Sequence, residues 1–472
     1  MIMDRLDGRR RMQLRFLIAA IVRVAVVLVI LGAGPTNADP SSTTGSSVVT
    51  PPRSGTTKSS STSQLSPSQA AFPPPGVPIR DADDFRLTRR LGTGKFSDVF
   101  EAIDTKAATS SNNKQQGERS STTTSNVHSS SLVVIKCLKP VSERKIRREI
   151  AILQHLDNQN RQSVPNLIRL LGIVVPPTYF AHNRSRPEFD LPQMPSLILQ
   201  HAGPQSQWLC HEKSVPLQST TTVSIRDPTT TEPSSQEDGT NLYLSDYEIR
   251  YYVCHLLVAL QGIHECGLMH RDVKPRNVLI NRRGQKALYP PLTLVDLGLA
   301  DFYRPNQPYN VRVASRHYKS PELLVGYEYY DTSIDMWGVG CILVGLLLRK
   351  EPFFRGKDNV DQLCKIVQLL GTHDLLQYLH RYNIVPSTEI SDKILSNNNH
   401  MVNRHRQSVL TQLRDGCPVP KADGLDLLNK LLVYDHQRRL TAQQALQHPY
   451  FDPVRPRVMA EVEKQRYALK QS

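Results

Sequence analysis

The polar segment 270–277, with the sequence HRDVKPRN, constrains the fold more than any other part of this chain. Before it, Ser245 and Glu248 have the spacing of a capping box, which predicts a helix that continues to about Cys266. Gly267 follows at the position where a glycine typically ends a helix. The polar segment is therefore predicted to be a loop, held at the end of a long and mostly apolar helix.

Asp272, Lys274 and Asn277 stand close together on this predicted loop and have complementary chemistry. A carboxylate can accept a proton from a hydroxyl group, a neighbouring ammonium can neutralise a phosphoryl group, and an amide oxygen can bind a magnesium ion. Each residue alone is only suggestive, because polar side chains are common on loops. Together they indicate a site that transfers a phosphoryl group to a hydroxyl group.

Three further motifs accompany this loop in a fixed order. Residues 91–99 contain two glycines, which let backbone N–H groups approach phosphate oxygens, although a tight hairpin turn has the same pattern. Lys136 stands on an apolar strand and Glu149 on the inward face of the following helix, so the two can pair; two unrelated edge charges are the alternative. Asp296 follows the apolar strand 292–295 and precedes a glycine, which suits a hard cation that bridges phosphates.

The order and spacing of the four motifs match the template of the eukaryotic protein kinases. Short strand-like runs at 99–103, 132–138 and 197–199 precede long helical patterns. This order predicts an α+β fold with two lobes, a small β-rich lobe followed by a larger α-helical lobe. The apolar segment 336–348 is too short to span a bilayer and is predicted to be a buried core helix, capped by Ser333 or a neighbour.

Composition separates the N-terminal part of the chain from the predicted kinase domain. Residues 1–39 contain a basic head, an apolar run at 16–31 broken by Arg23, and small residues after it. This pattern is typical of a secretory signal or membrane anchor, with an Arg-rich organelle transit peptide and a wrongly assigned start site as alternatives. Residues 40–84 are rich in Ser, Thr and Pro and are predicted to be a disordered linker.

Residues 85–451 are predicted to form the kinase domain, with polar surface insertions at 105–131 and 203–240, and residues 452–472 to form a C-terminal tail. The net charge of +15 suits acidic partners, whereas the absence of basic stretches interleaved with aromatic residues argues against binding to nucleic acid. The seven cysteines are scattered and form no Cys-x-x-Cys pair, which favours reduced thiols.

The sequence resembles the catalytic (alpha) subunit of casein kinase II over most of residues 84–451, apart from the two insertions. The motifs that carry the resemblance are EAI at 101–103, KCLKP at 136–140, DFY at 301–303, YNVRVASR at 309–316, PELL at 321–324, RKEPFF at 349–354 and YDHQ at 434–437. The resemblance implies a serine/threonine kinase that uses Mg²⁺ and ATP, with GTP as an alternative donor, and acts on Ser or Thr followed by acidic residues. It also implies a location in the nucleus and cytoplasm, unless residues 1–39 direct the chain to a membrane, the secretory route or an organelle.

The resemblance further implies a role for individual residues. Asp272 would be the catalytic base with Lys274 beside it, and Lys136, held by Glu149, would contact the α- and β-phosphates of ATP. The magnesium ligands would be Asn277 and Asp296. The nucleotide would contact Leu91, Gly92, Gly94, Val99, Val134, Leu199, His201, Leu279 and Val295. An acidic residue of the substrate would be read by Arg312, Arg316 and Lys319, and structural support would come from Asp335 and from a pair between Glu322 and Arg439.

The chain departs from the family pattern at several positions. The family has Trp, His, Gly and Phe where this chain has Leu297, Arg276, Ser320 and Leu199, which puts the inhibitor profile and the dual use of ATP and GTP in doubt. Glu143 interrupts the basic segment 142–148, which predicts a weaker preference for an acidic residue farther from the acceptor. The N-terminal segment that keeps the family's activation segment active has no clear counterpart before Asp83.

The family assembles as a tetramer with a regulatory (beta) subunit through an apolar face of the small lobe. Leu87 and Phe100 match that face, whereas Cys137 replaces a larger aliphatic residue. Two other classes of function stay open: a pseudokinase or scaffold, suggested by Ser97, Leu297 and the insertions, and a membrane-anchored or lumenal interaction protein, suggested by residues 1–39. An active kinase is the favoured interpretation because the predicted catalytic and metal-binding residues are all present.

Overall fold

The structure, a computed structural model, describes residues 76–107, 131–139, 143–158, 164–176, 194–204, 206–209, 243–282, 289–395 and 405–471. Residues 1–39, most of the predicted linker 40–84 and the larger part of both predicted insertions lie outside the described residues. The described part contains a sheet-rich region followed by a helical region, which confirms the predicted α+β class.

The first region is a six-stranded sheet with strand order β1-β5-β6-β4-β3-β2. β1 pairs with β5 in parallel, and the other neighbours are antiparallel. Helix α1 (Glu143–Asn158) follows β4 and buries Ile146, Ile150 and Leu153, the spacing of an amphipathic helix face. The strands are β1 (Ile79–Arg80), β2 (Phe85–Thr93), β3 (Ser97–Asp104), β4 (Leu132–Leu138), β5 (Leu170–Val174) and β6 (Ser196–Gln200).

Five short strands enclose the segment 270–277. β7 (Gln207–Trp208), β9 (Val278–Ile280) and β10 (Leu292–Leu294) form one small sheet, and β8 (Leu268–Met269) pairs with β11 (Asp301–Phe302) in another. β8 ends directly before the segment and β9 begins directly after it. The polar loop is therefore fixed at both ends, and β10 brings Asp296 beside it.

The second region is helical, and α2 begins at the predicted capping box between Ser245 and Glu248. Cys266 caps the C-terminus of α2, and Gly267 has a φ of 71° as predicted for the terminator. The helices after α1 are α2 (Asp246–Glu265), α3 (Pro321–Leu324), α4 (Ser333–Leu347), α5 (Asn359–Leu370), α6 (Thr372–Arg381), α7 (Thr388–Ile390), α8 (Ala422–Leu431), α9 (Ala442–Leu446) and α10 (Arg455–Gln471). Single 3-10 or π turns lie at Ala82–Asp84, Pro275–Asn277, Arg316–Tyr318, Ser391–Leu395, Val409–Gln412, His436–Arg438 and Pro449–Phe451.

Helix α4 is buried along its whole length, as predicted. The prediction placed the cap at Ser333 or a neighbour, and the N-cap is Thr332, whose side chain makes no capping hydrogen bond. Ser333 is the first helical residue, and its hydroxyl oxygen has no hydrogen-bond partner in the described part of the chain. The side chain of Asp331 instead accepts a hydrogen bond from the N–H of Ser333. Gly338 brings α4 against the polar loop, because an added Cβ would lie 2.8 Å from the carbonyl oxygen of Val273.

Three predicted boundaries differ from the structure. β1 lies inside the predicted linker 40–84, and β7 lies inside the predicted insertion 203–240. Both strands have only two residues, too few to produce a recognisable alternation of apolar and polar side chains. The predicted tail after residue 451 contains α10, which packs Val458 and Val462 into the core.

The described cysteines are free thiols. Cys254 and Cys341 are buried, and none of the described cysteines forms a disulfide bond.

No helix within the described ranges is long and apolar enough to cross a bilayer. The apolar run 16–31 lies outside those ranges, so its targeting or anchoring role stays a prediction.

Candidate active site

The loop 270–277 is supported from below by Asp335, a buried residue of α4. The Asp335 carboxylate accepts hydrogen bonds from the backbone N–H groups of His270 and Arg271, each at 2.8 Å. It also lies 2.9 Å from the Nε2 atom of His264. Burial by itself would raise the pKa of Asp335, but the hydrogen bonds hold that pKa below its ordinary value. The predicted bracing contact is present, and the loop backbone is anchored to an ionised carboxylate.

The Asp272 carboxylate is held at both of its oxygen atoms. Oδ2 accepts hydrogen bonds from Lys274 Nζ at 2.6 Å and Asn277 Nδ2 at 3.2 Å. Oδ1 accepts hydrogen bonds from the backbone N–H and the hydroxyl group of Ser315, both at 2.9 Å. Lys274 also donates to the Ser315 hydroxyl oxygen at 2.9 Å. These four donors orient the carboxylate, which can accept a proton from a hydroxyl group.

Ser315 was not identified from the sequence as a site residue. It lies 43 positions after Asp272, and no local pattern connects the two. The signal that could have identified it is its place in the stretch 309–316, which carries part of the family resemblance. Only the folded chain shows that this serine contacts both Asp272 and Lys274.

Lys136 is buried and forms two ion pairs. Its Nζ atom lies 2.7 Å from Glu149 Oε1 and 2.9 Å from Asp296 Oδ1. Burial alone would lower the pKa of Lys136, but the two carboxylates raise it above its ordinary value. Burial by itself would raise the pKa of Asp296, but the positive charge of the neighbouring Lys136 keeps that pKa below its ordinary value. The predicted pair of Lys136 and Glu149 is therefore present, and the alternative of two unrelated edge charges is excluded.

Asn277 and Asp296 lie side by side, because the backbone N–H of Val295 donates to the carbonyl oxygen of Asn277 at 2.9 Å. Asn277 uses its amide nitrogen on Asp272, which leaves its Oδ1 atom without a partner in the described part of the chain. Asp296 is solvent-exposed and binds Lys136 through Oδ1 alone. One amide oxygen and one carboxylate oxygen fit Mg²⁺, which typically takes one or two protein ligands together with phosphate and water.

The described residues contain no cluster of three or more His, Cys, Asp or Glu side chains that could hold a metal ion alone. Asn277 and Asp296 are the residues that would hold the ion, and the ion would supply positive charge to neutralise the phosphates.

Three residues around this site have a strained backbone conformation. Arg271, Asp296 and Ala314 have φ values of 64°, 67° and 61°, in the left-handed region that non-glycine residues rarely adopt. Such conformations cluster at functional sites, where surrounding contacts maintain them. Gly298 meets a different constraint, because an added Cβ would lie 3.3 Å from Asp296 Oδ1 and 3.4 Å from Glu149 Oε2.

The predicted nucleotide-contacting residues lie on β2, β3, β4, β6 and β9, in the hairpin turn at 94–96 and beside β10. Val134 and Leu199 are partners in the register of β4 and β6, whereas Leu91 on β2 is exposed. The ring of His201 is buried: Nε2 lies 3.2 Å from Glu101 Oε2, and Nδ1 accepts a hydrogen bond from the N–H of Gly203. The His201 side chain therefore fixes the chain after β6, and its contact with the nucleotide stays a prediction.

The three predicted acid-reading residues separate into two groups. Arg312 and Arg316 are exposed, but Lys319 is buried, and its ammonium group donates to the carbonyl oxygen of Val313. Burial also lowers the pKa of Lys319. The contact with Val313 fixes the backbone beside Arg312. The role of Lys319 in reading the substrate stays a prediction.

Asp301, which was not predicted as a site residue, connects three parts of the site. Asp301 Oδ2 accepts hydrogen bonds from Arg271 of the loop at 2.9 Å and from Arg148 of α1 at 3.0 Å. Arg271 also donates to the carbonyl oxygen of Leu299 at 2.7 Å. The helix that carries Glu149, the loop that carries Asp272 and the segment after Asp296 are thus joined through one carboxylate.

The predicted pair of Arg439 and Glu322 is present. Arg439 forms a two-fold hydrogen bond to Glu322 at 2.8 and 3.1 Å, and neither side chain is exposed.

The predicted subunit-binding face lies on the small lobe. Leu87 is exposed on β2, Phe100 lies opposite Arg90, and Cys137 packs against a small apolar cluster of the sheet. The contact of this face with a regulatory subunit stays a prediction.

Residues 226–451 match the family model described as the protein kinase domain. The match includes the loop 270–277, Asp296 and the Glu322–Arg439 pair, whereas the sheet that carries Lys136 and the helix that carries Glu149 precede it. The sheet-rich region and the helical region together have the arrangement of the two kinase lobes. The match and the α+β arrangement of the described residues together support a protein kinase domain with the two-lobed fold.

Proposed function

We propose that this chain is an active serine/threonine protein kinase that transfers the γ-phosphoryl group of ATP to Ser or Thr residues followed by acidic residues. The observation that carries the proposal is the joining of Lys136, Glu149 and Asp296 by ion pairs next to the held carboxylate of Asp272. A pseudokinase that had lost phosphotransfer would not need this complete set. The resemblance to the casein kinase II catalytic subunit supports the finer assignment of substrate.

In the proposed mechanism, each side chain has one task. Asp272 orients the hydroxyl group of the substrate and accepts its proton, while Ser315 fixes the carboxylate. Lys274 donates to Asp272 and supplies positive charge near the transferred group. Lys136 binds the phosphates of ATP and is kept charged and in place by Glu149. Catalysis by positioning and charge stabilisation is what phosphoryl transfer requires of a protein.

The proposed preference for acidic substrates rests on Arg312 and Arg316. Both are exposed, and Arg316 directly follows Ser315, whose hydroxyl group contacts the proposed base. Guanidinium groups form strong charge-assisted hydrogen bonds with carboxylates. A carboxylate just after the acceptor residue would therefore meet positive charge close to Asp272.

The preference at a more distal substrate position is proposed to be weak. Glu143 accepts hydrogen bonds from Arg147 one turn later on α1, the shorter at 2.6 Å. This pair withdraws one arginine from the basic segment 142–148 and adds a negative charge to it. The remaining cations of that segment would attract a distal acidic residue less strongly than an uninterrupted basic cluster.

The experiment that tests the function is a radiolabelled kinase assay of the full chain on matched peptides. A serine peptide with glutamates after the acceptor is expected to have a kcat/KM about tenfold or more above that of an alanine version, since one charge-assisted contact is worth about 1.5–3 kcal/mol. The double variant Arg312→Ala/Arg316→Ala is expected to lose most of this difference. Phosphoamino acid analysis should find phosphoserine and phosphothreonine.

The matched control is Arg304→Ala, which removes another exposed arginine earlier in the same segment. This variant should leave the ratio of kcat/KM for the glutamate peptide to kcat/KM for the alanine peptide unchanged. Equal use of the glutamate and alanine peptides would contradict the acidic preference. A failure to phosphorylate any peptide or protein substrate would contradict the kinase assignment in favour of a scaffold.

We also expect activity without phosphorylation of the segment after Asp296. Asp301 already supplies a negative charge to Arg148 and Arg271, where a phosphate would otherwise be needed to join α1 to the loop. Replacement of Asp301 by asparagine removes that charge and is expected to lower kcat by about tenfold, the cost of one charge-assisted contact. The measurement is kcat of phosphatase-treated wild-type and variant chains.

The control for this prediction is Asp415→Asn, an exposed aspartate remote in sequence from the site, which should leave kcat unchanged. Loss of wild-type activity on phosphatase treatment would show that a phosphate is needed. Full activity of the Asp301→Asn variant would show that the carboxylate does not join the three parts of the site.

A further inference from the structure

The turn at 94–96, between β2 and β3, is attached to the end of β4 by one lysine. Lys139 Nζ donates a hydrogen bond to the carbonyl oxygen of Gly94 at 2.7 Å and lies 3.2 Å from Asp98 Oδ1. The backbone N–H of Lys139 donates to the carbonyl oxygen of Phe96 at 2.9 Å. Both the side chain and the backbone of Lys139 therefore hold the same turn.

The chain places Lys139 close to the site but not within its ion-pair cluster. Lys136 lies on β4 and contacts Glu149 and Asp296, whereas Lys139 lies just beyond the last residue of β4. Alternate residues of a strand point to opposite faces, so an offset of three positions directs the two lysines to different sides. One lysine thus serves the predicted phosphate site and the other serves the turn above it.

The turn retains groups that a phosphate could use. The N–H of Gly94 is bonded within the turn, to the carbonyl oxygen of Ser97 at 2.8 Å. The backbone N–H groups of Lys95 and Phe96 make no hydrogen bond to the described part of the chain. Successive free N–H groups in a turn form an anion-binding concavity. On α1, Lys145 lies 5.3 Å from the centre of the Phe96 ring, which gives the turn a second attachment.

We propose that Lys139 is a positioning residue that holds this turn in place for the phosphates of a bound nucleotide. The proposal rests on the proposed function, because it requires ATP to bind beneath β2 and β3. A turn that contains glycine has many conformations, and ordering it costs free energy when a ligand binds. In the free protein, the contacts of Lys139 already order the turn, which lowers the free-energy cost of ordering it when ATP binds. Loss of Lys139 should therefore weaken binding of the phosphates and leave binding of the nucleoside unchanged.

A simple charge effect gives a competing explanation, since any lysine near the site attracts phosphate. The two explanations differ in the effect expected for Asp98→Ala. Removal of a negative charge should tighten ATP binding if only charge matters. It should weaken ATP binding if Asp98 acts as the partner that keeps Lys139 and the turn together.

The test is calorimetric titration of the full chain with Mg·ATP and with adenosine. Lys139→Met is expected to raise the Kd for Mg·ATP about fivefold, and Asp98→Ala about two- to threefold, since partly exposed hydrogen-bonded pairs contribute modestly. Neither variant should change the Kd for adenosine by a comparable factor. The control is Lys106→Met, which removes a lysine paired with Asp84 elsewhere on the small lobe and should leave both Kd values unchanged.

Other results would overturn the proposal. An unchanged Kd for Mg·ATP in Lys139→Met, with a melting temperature equal to that of the wild type, would contradict a positioning role. Tighter ATP binding by Asp98→Ala would show a charge effect alone. ATP binding without peptide phosphorylation in the wild type would overturn the proposed function only, whereas no ATP binding in the wild type would overturn both.

Discussion

Replacement of Asp272 by asparagine is expected to lower kcat by about 10²- to 10⁴-fold, the usual contribution of a general base. Asparagine has nearly the same size, so the contacts with Ser315 can be retained, but its amide cannot accept the proton of the substrate. The ion pairs of Lys136 do not involve Asp272, so the KM for ATP should change little. Steady-state kinetics on the acidic serine peptide measures both quantities.

A separate comparison excludes a general loss of fold as the cause. The Asp272→Asn variant should bind Mg·ATP with the affinity of the wild type and melt at a similar temperature. Retention of kcat within about threefold of the wild type, a loss of less than 1 kcal/mol of transition-state stabilisation, would be incompatible with a proton-accepting role.

Replacement of Arg439 by methionine is expected to lower the free energy of unfolding by about 3–5 kcal/mol, because it leaves the buried Glu322 carboxylate without its partner. The same guanidinium group donates to the carbonyl oxygens of Ser333 and Val433, each at 2.8 Å, so one buried and one partly buried acceptor also lose their donor. Urea denaturation of the full chain, monitored by intrinsic fluorescence, measures the difference in free energy of unfolding between the variant and the wild type.

The matched control is Lys430→Met, which breaks a pair with Asp426 in which both side chains are about half exposed. An exposed pair contributes about 0–1 kcal/mol, so this variant should unfold close to the wild type. The double variant Glu322→Leu/Arg439→Met should recover part of the lost stability, because it removes the unpaired charge. A loss below about 1 kcal/mol in Arg439→Met would mean that the pair is open to water in solution.

Much of the fold and of the site could be predicted because the relevant signals are local. The capping box at Ser245, the terminating Gly267 and the apolar runs of β3, β4 and β6 each occupy a short window of sequence. Hydrophobic periodicity determines which local structure such a window favours. The polar motifs between these elements then predicted Asp272, Lys136 and their neighbours as members of one site.

The sequence by itself thus determined the lobe order, the main strands and helices, and the residue types available for phosphoryl transfer. Only the tertiary structure decided that Ser315 holds Asp272, that Asp301 joins Arg148 to Arg271, and that Lys139 holds the turn at 94–96. It also decided that Lys319 and the ring of His201 are buried. The physical reason is that periodicity specifies which face of an element is apolar, whereas contacts and burial depend on which distant element packs against that face.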